Sequence, residues 1–168
     1  MLSPRTPGTR PNCIAHILCL PGIPGIAFSG SSGSPTAWNA RTPSYSTVYG
    51  QLATQLTSAL LTSGPKPYLP ENVYLNVNFP ESSSSQCSSA SQFKFVLSRI
   101  YSAVPLLTAK DVVTCGNGGR LPTESSVVDE DGCYVSVSVG KASSKGDASA
   151  AEQKAVLGHL QGLLSCLP

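Results

Sequence analysis

Hydrophobic positions recur along this chain with two different periods, and the periods predict its helices and strands. A short apolar run over residues 23–29 predicts a buried strand that opens into a Ser- and Gly-rich loop, SGSSGS, over residues 29–34. Apolar residues spaced by three and four over residues 45–60 predict an amphipathic helix. Ser44 is its predicted N-cap, and Gly64 is its predicted C-terminal stop.

Strict alternation of apolar and polar residues predicts three further strands. They are VYLNVNFP (73–80), FKFVLSRIY (93–101) and CYVSVSV (133–139), and the stretch between the last two is rich in turns. The last predicted element is a helix that begins at Ser149, whose spacing to Glu152 matches a capping box. The element order β-α-β-β-β-α predicts one domain of mixed α/β structure.

The composition of the chain argues against several classes of protein. The 168 residues suit one domain, and 12% of them are charged, against about 25% in typical domains. With a net charge of +2 we expect no attraction to nucleic acid or to acidic membranes. No apolar run is long enough to predict a transmembrane helix. Residues 1–21 predict an irregular leader that matches a signal peptide poorly, because His16 and Pro21 interrupt its apolar run.

The chain has six cysteines without any C-x-x-C pair, which disfavours a structural zinc site. An even number of cysteines in a Ser-rich chain favours disulfides and an oxidising compartment, and it leaves their connectivity open. Buried free thiols in a cytosolic protein are the alternative interpretation.

The Ser/Gly loop does not predict a catalytic serine. A hydrolase elbow needs G-x-S-x-G, whereas Ser32 has Gly30 two residues before it and Ser34 two residues after it. The loop lacks the lysine of a P-loop. Neither His16, in the leader, nor His159, on the exposed side of the last helix, is placed to serve as its base.

Other polar residues each have a functional and a structural interpretation. The acidic run at 129–131 predicts a solvated turn rather than a metal site, because adjacent side chains point in different directions. Asn76 and Asn78 lie on the polar face of one strand and could contact a ligand, although hydrogen bonds to neighbouring loops are favoured. Arg99 could bind an anion, with a surface salt bridge as the favoured alternative.

Three segments in order resemble the SurE-like phosphatase/nucleotidase family: GIPGIAFSG (22–30), LPENVYLNVNFP (69–80) and DGCYVSVSVG (131–140). Further segments are similar to its secreted eukaryotic acid-phosphatase branch, namely SGSSGSPTAWN (29–39), SSASQFKFVLSRI (88–100), the region of Cys115 and the C-terminal KGDASAAEQ stretch. The resemblance covers residues 22–168, and residues 1–21 match nothing in the family.

The resemblance implies a Rossmann-like, SurE-type α/β sheet, truncated at its N-terminus, with a small C-terminal strand and helix part that mediates dimers. It also implies hydrolysis of phosphate monoesters or nucleotides with a divalent metal, magnesium or manganese, in an extracellular setting. The family's metal ligands lie in a Ser-Asn-Asp-Asp-Gly segment and later motifs that this chain does not contain. We therefore expect the chain to be inactive alone, with Ser29 and Gly30 bordering the substrate edge.

Two alternatives accompany this hypothesis: a non-catalytic interaction or dimerisation domain derived from the family, and a fragment that does not fold. Because the resemblance spans residues 22–168, it also suggests disulfides between Cys87 and Cys115 and between Cys133 and Cys166. Cys13 and Cys19, in the leader, are expected to stay unpaired or to form incidental bonds.

Overall fold

The computed structural model describes residues 23–168, which form a five-stranded sheet flanked by helices. The strands, in chain order, are β1 (Gly25–Gly30), β2 (Val73–Phe79), β3 (Lys94–Ser98), β4 (Tyr134–Lys141) and β5 (Leu164–Ser165). Their order across the sheet is β1-β2-β4-β3-β5. The predicted leader, with Cys13, Cys19 and His16, lies outside the described residues.

Most strand pairs in this sheet are parallel. Strand β1 runs parallel to β2, and β3 runs parallel to both β4 and β5. The junction between β2 and β4 is antiparallel, so the sheet consists of two parallel groups that point in opposite directions. The mixed α/β class is thereby confirmed, and the arrangement is compatible with a Rossmann-like fold.

Three α-helices accompany the sheet within residues 23–168: α1 (Ser44–Thr62), α2 (Glu124–Val128) and α3 (Ala150–Leu160). Helices α1 and α3 and all strands except β5 confirm the predicted element order. Helix α2 and strand β5 were not predicted, because five residues and two residues are too short to show a period. A single 3-10 turn, Ala90–Gln92, precedes β3.

The helix termini test two sequence predictions. The capping box of α3 is confirmed, because the Glu152 N–H donates to Ser149 Oγ at 3.4 Å and the Ser149 N–H donates to Glu152 Oε2 at 2.9 Å. The prediction for α1 was wrong by one residue, since Pro43 occupies the N-cap and no side chain bonds to the first turn. The predicted C-terminal stop agrees with the structure, since the helix ends at Thr62, Ser63 is its C-cap and Gly64 is the next residue.

Helices α1 and α3 bury their apolar residues on one face of the sheet. Alternate strand residues meet them there, so this face carries the main hydrophobic core. Its fully buried members include Leu52, Leu56, Leu75, Val77, Val137 and Val156.

Four cysteines form two disulfides, and their pairing corrects the sequence hypothesis. Cys87 bonds to Cys133 and Cys115 bonds to Cys166, each with a Cα–Cα distance of 5.6 Å. The first pair follows from the parallel pairing of β3 and β4, since Cys87 and Cys133 precede these neighbouring strands and lie at the same end of the sheet. Resemblance along the chain does not reveal which loops are neighbours in space.

Among the described residues, no helix has both the length and the hydropathy needed to cross a bilayer.

Candidate functional site: the polar face of the sheet

The sheet face opposite α1 and α3 carries a continuous row of polar side chains. Strand alternation places Asn76 and Asn78 of β2, Ser136 and Ser138 of β4, and Ser98 of β3 on this side. The pairing register puts Asn76 opposite Ser138, Asn78 opposite Ser136, and Ser98 opposite Ser138. We call these five residues the polar face. Four of them, Asn76, Ser98, Ser136 and Ser138, are at most 2% exposed.

Glu124, an acidic residue at the start of helix α2, lies against the polar face. The chain passes the end of β3, where the Arg99 N–H donates to Pro122 O at 2.9 Å and the Glu124 N–H donates to Arg99 O at 2.8 Å. Thr123 then caps the helix by accepting a hydrogen bond from the Ser126 N–H at 3.2 Å. These backbone contacts fix the position of the Glu124 carboxylate.

Three polar-face side chains donate to Oε2 of Glu124. Asn76 Nδ2 lies 2.7 Å from this oxygen, Asn78 Nδ2 lies 3.3 Å from it, and Ser138 Oγ lies 3.5 Å from it. Desolvation by burial raises the pKa of Glu124 above its usual value, even though the hydrogen bonds from Asn76, Ser138 and Asn78 act in the opposite direction. The carboxyl group therefore keeps its proton to a higher pH than an exposed glutamate.

The hydroxyl and amide groups of the polar face are also linked to one another. Ser98 Oγ and Ser138 Oγ are 2.8 Å apart, and Asn78 Nδ2 donates to Ser136 Oγ at 3.2 Å. One buried atom is left over: within the described part of the chain, Asn76 Oδ1 has no hydrogen-bond partner. A buried acceptor without a donor costs about 1–3 kcal/mol, so this oxygen is suited to accept a hydrogen bond from a ligand or a water molecule.

The two residues expected to border substrate lie beside the polar face. Ser29 pairs with Asn78 in the parallel register of β1 and β2, and it alternates with the core residue Phe28. It is therefore on the polar side, half-buried, at the carboxyl end of β1. Gly30 is exposed, and a Cβ atom there would lie 2.4 Å from Cε2 of Tyr49, so only glycine leaves room for this ring.

The serines of the following loop are engaged in structural hydrogen bonds. Ser31 Oγ donates to Phe79 O at 3.1 Å, and Ser32 Oγ donates to Ser82 O at 3.0 Å while accepting from the Ser82 N–H at 2.9 Å. The Ser32 N–H donates to Tyr49 Oη at 3.0 Å. These bonds tie the loop to the end of β2, in agreement with its interpretation as a non-catalytic loop.

One serine and one histidine do meet elsewhere, without forming a nucleophile and base. Ser63 Oγ lies 2.7 Å from Nδ1 of His159 and donates its proton to Leu60 O at 2.8 Å. The donor and acceptor roles in the Ser63–His159 contact depend on the tautomer of the imidazole. The contact joins the ends of α1 and α3.

The outcome differs among the other polar residues that the sequence analysis singled out. Asn76 and Asn78 bond to Glu124, which agrees with the structural interpretation of these side chains. Residues 129–131 are exposed, as expected for a solvated turn. Arg99 does form salt bridges, with Asp111 and Asp147, but their expected surface location was wrong, because the Arg99 side chain is buried.

Sequence reasoning missed Glu124, Ser98, Ser136 and Ser138 as a group. The alternation in CYVSVSV already placed the two β4 serines on one polar side, and the T-x-x-S spacing from Thr123 to Ser126 was a local signal for a helix start. Neither signal shows that Glu124 contacts β2. Within residues 23–168, no group of three or more His, Cys, Asp or Glu side chains is placed to hold a metal ion.

Comparison of the chain with protein-family models, with curated proteins and with solved structures finds no match.

Proposed function

We propose that this chain is a hydrolase-family protein of the SurE-like phosphatase/nucleotidase type, acting outside the cell, and that its polar face contacts a phosphate monoester. The observation that carries the proposal is the polar row at the carboxyl end of the parallel pair β1 and β2, where Ser29 and Asn78 are neighbours. Ligands of open α/β sheets bind outside the carboxyl ends of the strands, and Ser29 and Asn78 lie at that end of β1 and β2.

The chemistry of Glu124 suggests that phosphate binds more tightly in acid. An ionised carboxylate on the polar face repels a phosphate, whereas the neutral acid can donate a hydrogen bond to it. Because burial raises the pKa of Glu124, the neutral form persists to a higher pH than usual. The amide of Asn78 and the hydroxyl of Ser29, both half-buried, supply uncharged donors beside it.

The divalent metal implied by the resemblance does not fit the described residues by themselves. Glu124 Oε2 already accepts three hydrogen bonds, and Asn76 Oδ1 is one further oxygen. Magnesium and manganese need near-octahedral coordination by oxygen ligands that are not already engaged. We therefore expect the polar face to contribute to substrate binding and not to metal binding.

Two assays of the purified 168-residue chain test the proposal separately. For turnover, p-nitrophenyl phosphate is supplied with magnesium or manganese and with a metal-free control, and the expected rate equals the control rate. For binding, calorimetry with adenosine monophosphate is expected to show tighter binding at pH 5 than at pH 7.5. Asn78→Ala should weaken this binding, and Ser85→Ala, in an exposed loop, should not. Equal affinity for all three proteins would refute a role of the polar face.

A second candidate function, a non-catalytic interaction or dimerisation domain, is favoured by one separate observation. Val104, Leu106 and Leu107 are 52%, 103% and 84% exposed, yet they belong to an ordered turn. The Leu107 and Thr108 N–H groups both donate to Val104 O, at 3.2 and 2.9 Å. Exposed apolar residues that are held in place are typical of contact surfaces.

Sedimentation velocity of the chain alone, over a range of concentrations, tests this second candidate. A dimer that is lost when Leu106 and Leu107 are both changed to serine would support it. A concentration-independent monomer would argue against self-association through this turn.

A further inference from the structure

A cleft of about 600 Å³ lies at the β3 and β5 edge of the sheet. Its lining includes Val96, Leu97 and Leu121, which are at most 5% exposed, and the half-buried Leu157 and Leu164. None of the five polar-face residues belongs to this lining. Clefts of roughly 300–1,000 Å³ with mainly apolar walls are typical of small-molecule sites.

The two walls of the cleft are joined covalently. One wall is the loop around Cys115 and the other is the C-terminal stretch around Cys166, and the disulfide between them lines the cleft. Asn117 orders the first wall, because its Oδ1 accepts from the N–H groups of Thr114 at 3.2 Å and Gly119 at 3.0 Å. A cleft held open in this way loses little freedom when a ligand enters, which favours binding.

One charged side chain, that of Arg120, belongs to this lining among the residues that the structure describes. Its guanidinium donates to Ala109 O at 2.6 Å and to Thr108 O at 2.7 Å, which fixes its position. Asp111 lies 3.9 Å from Arg120 and is engaged more closely by Arg99 at 2.7 Å. A guanidinium has five N–H donors arranged in a fork that matches a carboxylate, and two carbonyl contacts do not exhaust them.

We propose that this cleft binds a small, mainly apolar molecule that carries one carboxylate, with its apolar body against Leu97 and Leu121 and its carboxylate toward Arg120. The lining matches both parts of such a ligand, because its walls are mainly apolar and it contains one cationic side chain, that of Arg120. The site is independent of phosphate hydrolysis, because it shares no residue with the polar face.

Fluorescence of 8-anilinonaphthalene-1-sulfonate with the native, disulfide-bonded chain tests the site. We expect saturable binding that decanoate displaces about three- to tenfold more effectively than decanol, as expected for a partly exposed charge pair. Arg120→Gln should abolish this difference between the acid and the alcohol. If decanoate and decanol remain equally effective in the parent chain, the assignment of a carboxylate ligand is wrong.

Two variants decide whether the dye reports this cleft. Gln161→Trp introduces a ring at an exposed position of the lining, so it should block binding without disturbing the core. Changing Trp38 to serine removes exposed apolar surface that lies outside the lining, so it should leave binding unchanged. No saturable binding, unchanged binding in Gln161→Trp, or loss of binding in Trp38→Ser would each overturn the proposal.

Discussion

Replacing Arg99 with methionine should remove the centre of a buried charge network while keeping the main-chain contacts of this residue. Arg99 Nη1 lies 2.7 Å from Asp111 Oδ2, and its Nη2 lies 3.3 Å from Asp147 Oδ2. The Arg99 and Asp111 side chains are each 4% exposed, and that of Asp147 is 11% exposed. The main chain of Arg99 holds the start of α2, and with it Glu124, through the hydrogen bond to the Glu124 N–H at 2.8 Å.

The size of the effect follows from charge and burial. At an effective dielectric constant of about 20, two unit charges at the 2.7 Å separation of Arg99 and Asp111 attract each other by about 6 kcal/mol, before the cost of removing them from water. Methionine leaves Asp111 with hydrogen bonds from Gln153 Nε2 and the Leu121 N–H but without its closest cation. Removing one partner of such a buried pair costs about 3–5 kcal/mol. For a chain of this length, that loss lowers the melting temperature by about 6–20 °C.

Urea unfolding followed by far-UV circular dichroism measures this loss. Lys154→Met is the matched control, because Lys154 is exposed on α3, and its free energy of unfolding should change by less than about 0.5 kcal/mol. The double variant Arg99→Met/Asp111→Asn should recover part of the lost stability, since it removes the uncompensated carboxylate. A loss for Arg99→Met no greater than that for Lys154→Met would refute the reasoning.

Three further predictions concern stability. Burial raises the pKa of Glu124 in the folded chain, so the folded state binds this proton more tightly and stability falls as pH rises from about 4.3 through the raised pKa. Glu124→Gln removes this titratable group. Urea titrations should therefore show that the free energy of unfolding of the variant, minus that of the parent, is larger at pH 7 than at pH 4. The same difference at the two pH values would contradict the prediction. Gly140→Ala should cost about 1–3 kcal/mol, because the new Cβ would lie 2.3 Å from Cζ of the buried Tyr74, whereas Gly33→Ala, with nothing within 4 Å, should cost much less by thermal melting. Removing either disulfide should cost about 2–4 kcal/mol, since the sequence separations of 46 and 51 residues are similar, and peptide mapping that found another connectivity would contradict the pairing.

The strands and long helices could be predicted because their signal is local. In VYLNVNF, alternation identified both the strand and the two faces of β2, so that Asn76 and Asn78 were known to share a side. The capping box of α3 needed only Ser149 and Glu152. Helix α2 could not be found in this way, because five residues complete little more than one turn.

Long-range contacts could not be predicted, and they produced the errors. Arg99 was expected at the surface, since the carboxylates that neutralise it come from positions 111 and 147. The predicted disulfide pairing was wrong. The observed bond between Cys87 and Cys133 depends on β3 and β4 being parallel neighbours, which no local sequence pattern indicates. The same limit applies to Glu124, which reaches the polar face only because Arg99 holds the start of α2.

By itself, the sequence determined where the main strands and helices lie and which side of each strand is polar, because these properties depend on residues a few positions apart. The tertiary structure alone decided the strand order, the antiparallel junction of β2 and β4, the contact of Glu124 with Asn76, and the cleft beside Arg120. The physical reason is that backbone periodicity is a short-range property. The neighbours of a side chain across a sheet depend on how the whole chain packs. The raised pKa of Glu124 is one consequence, because it results from burial among such neighbours.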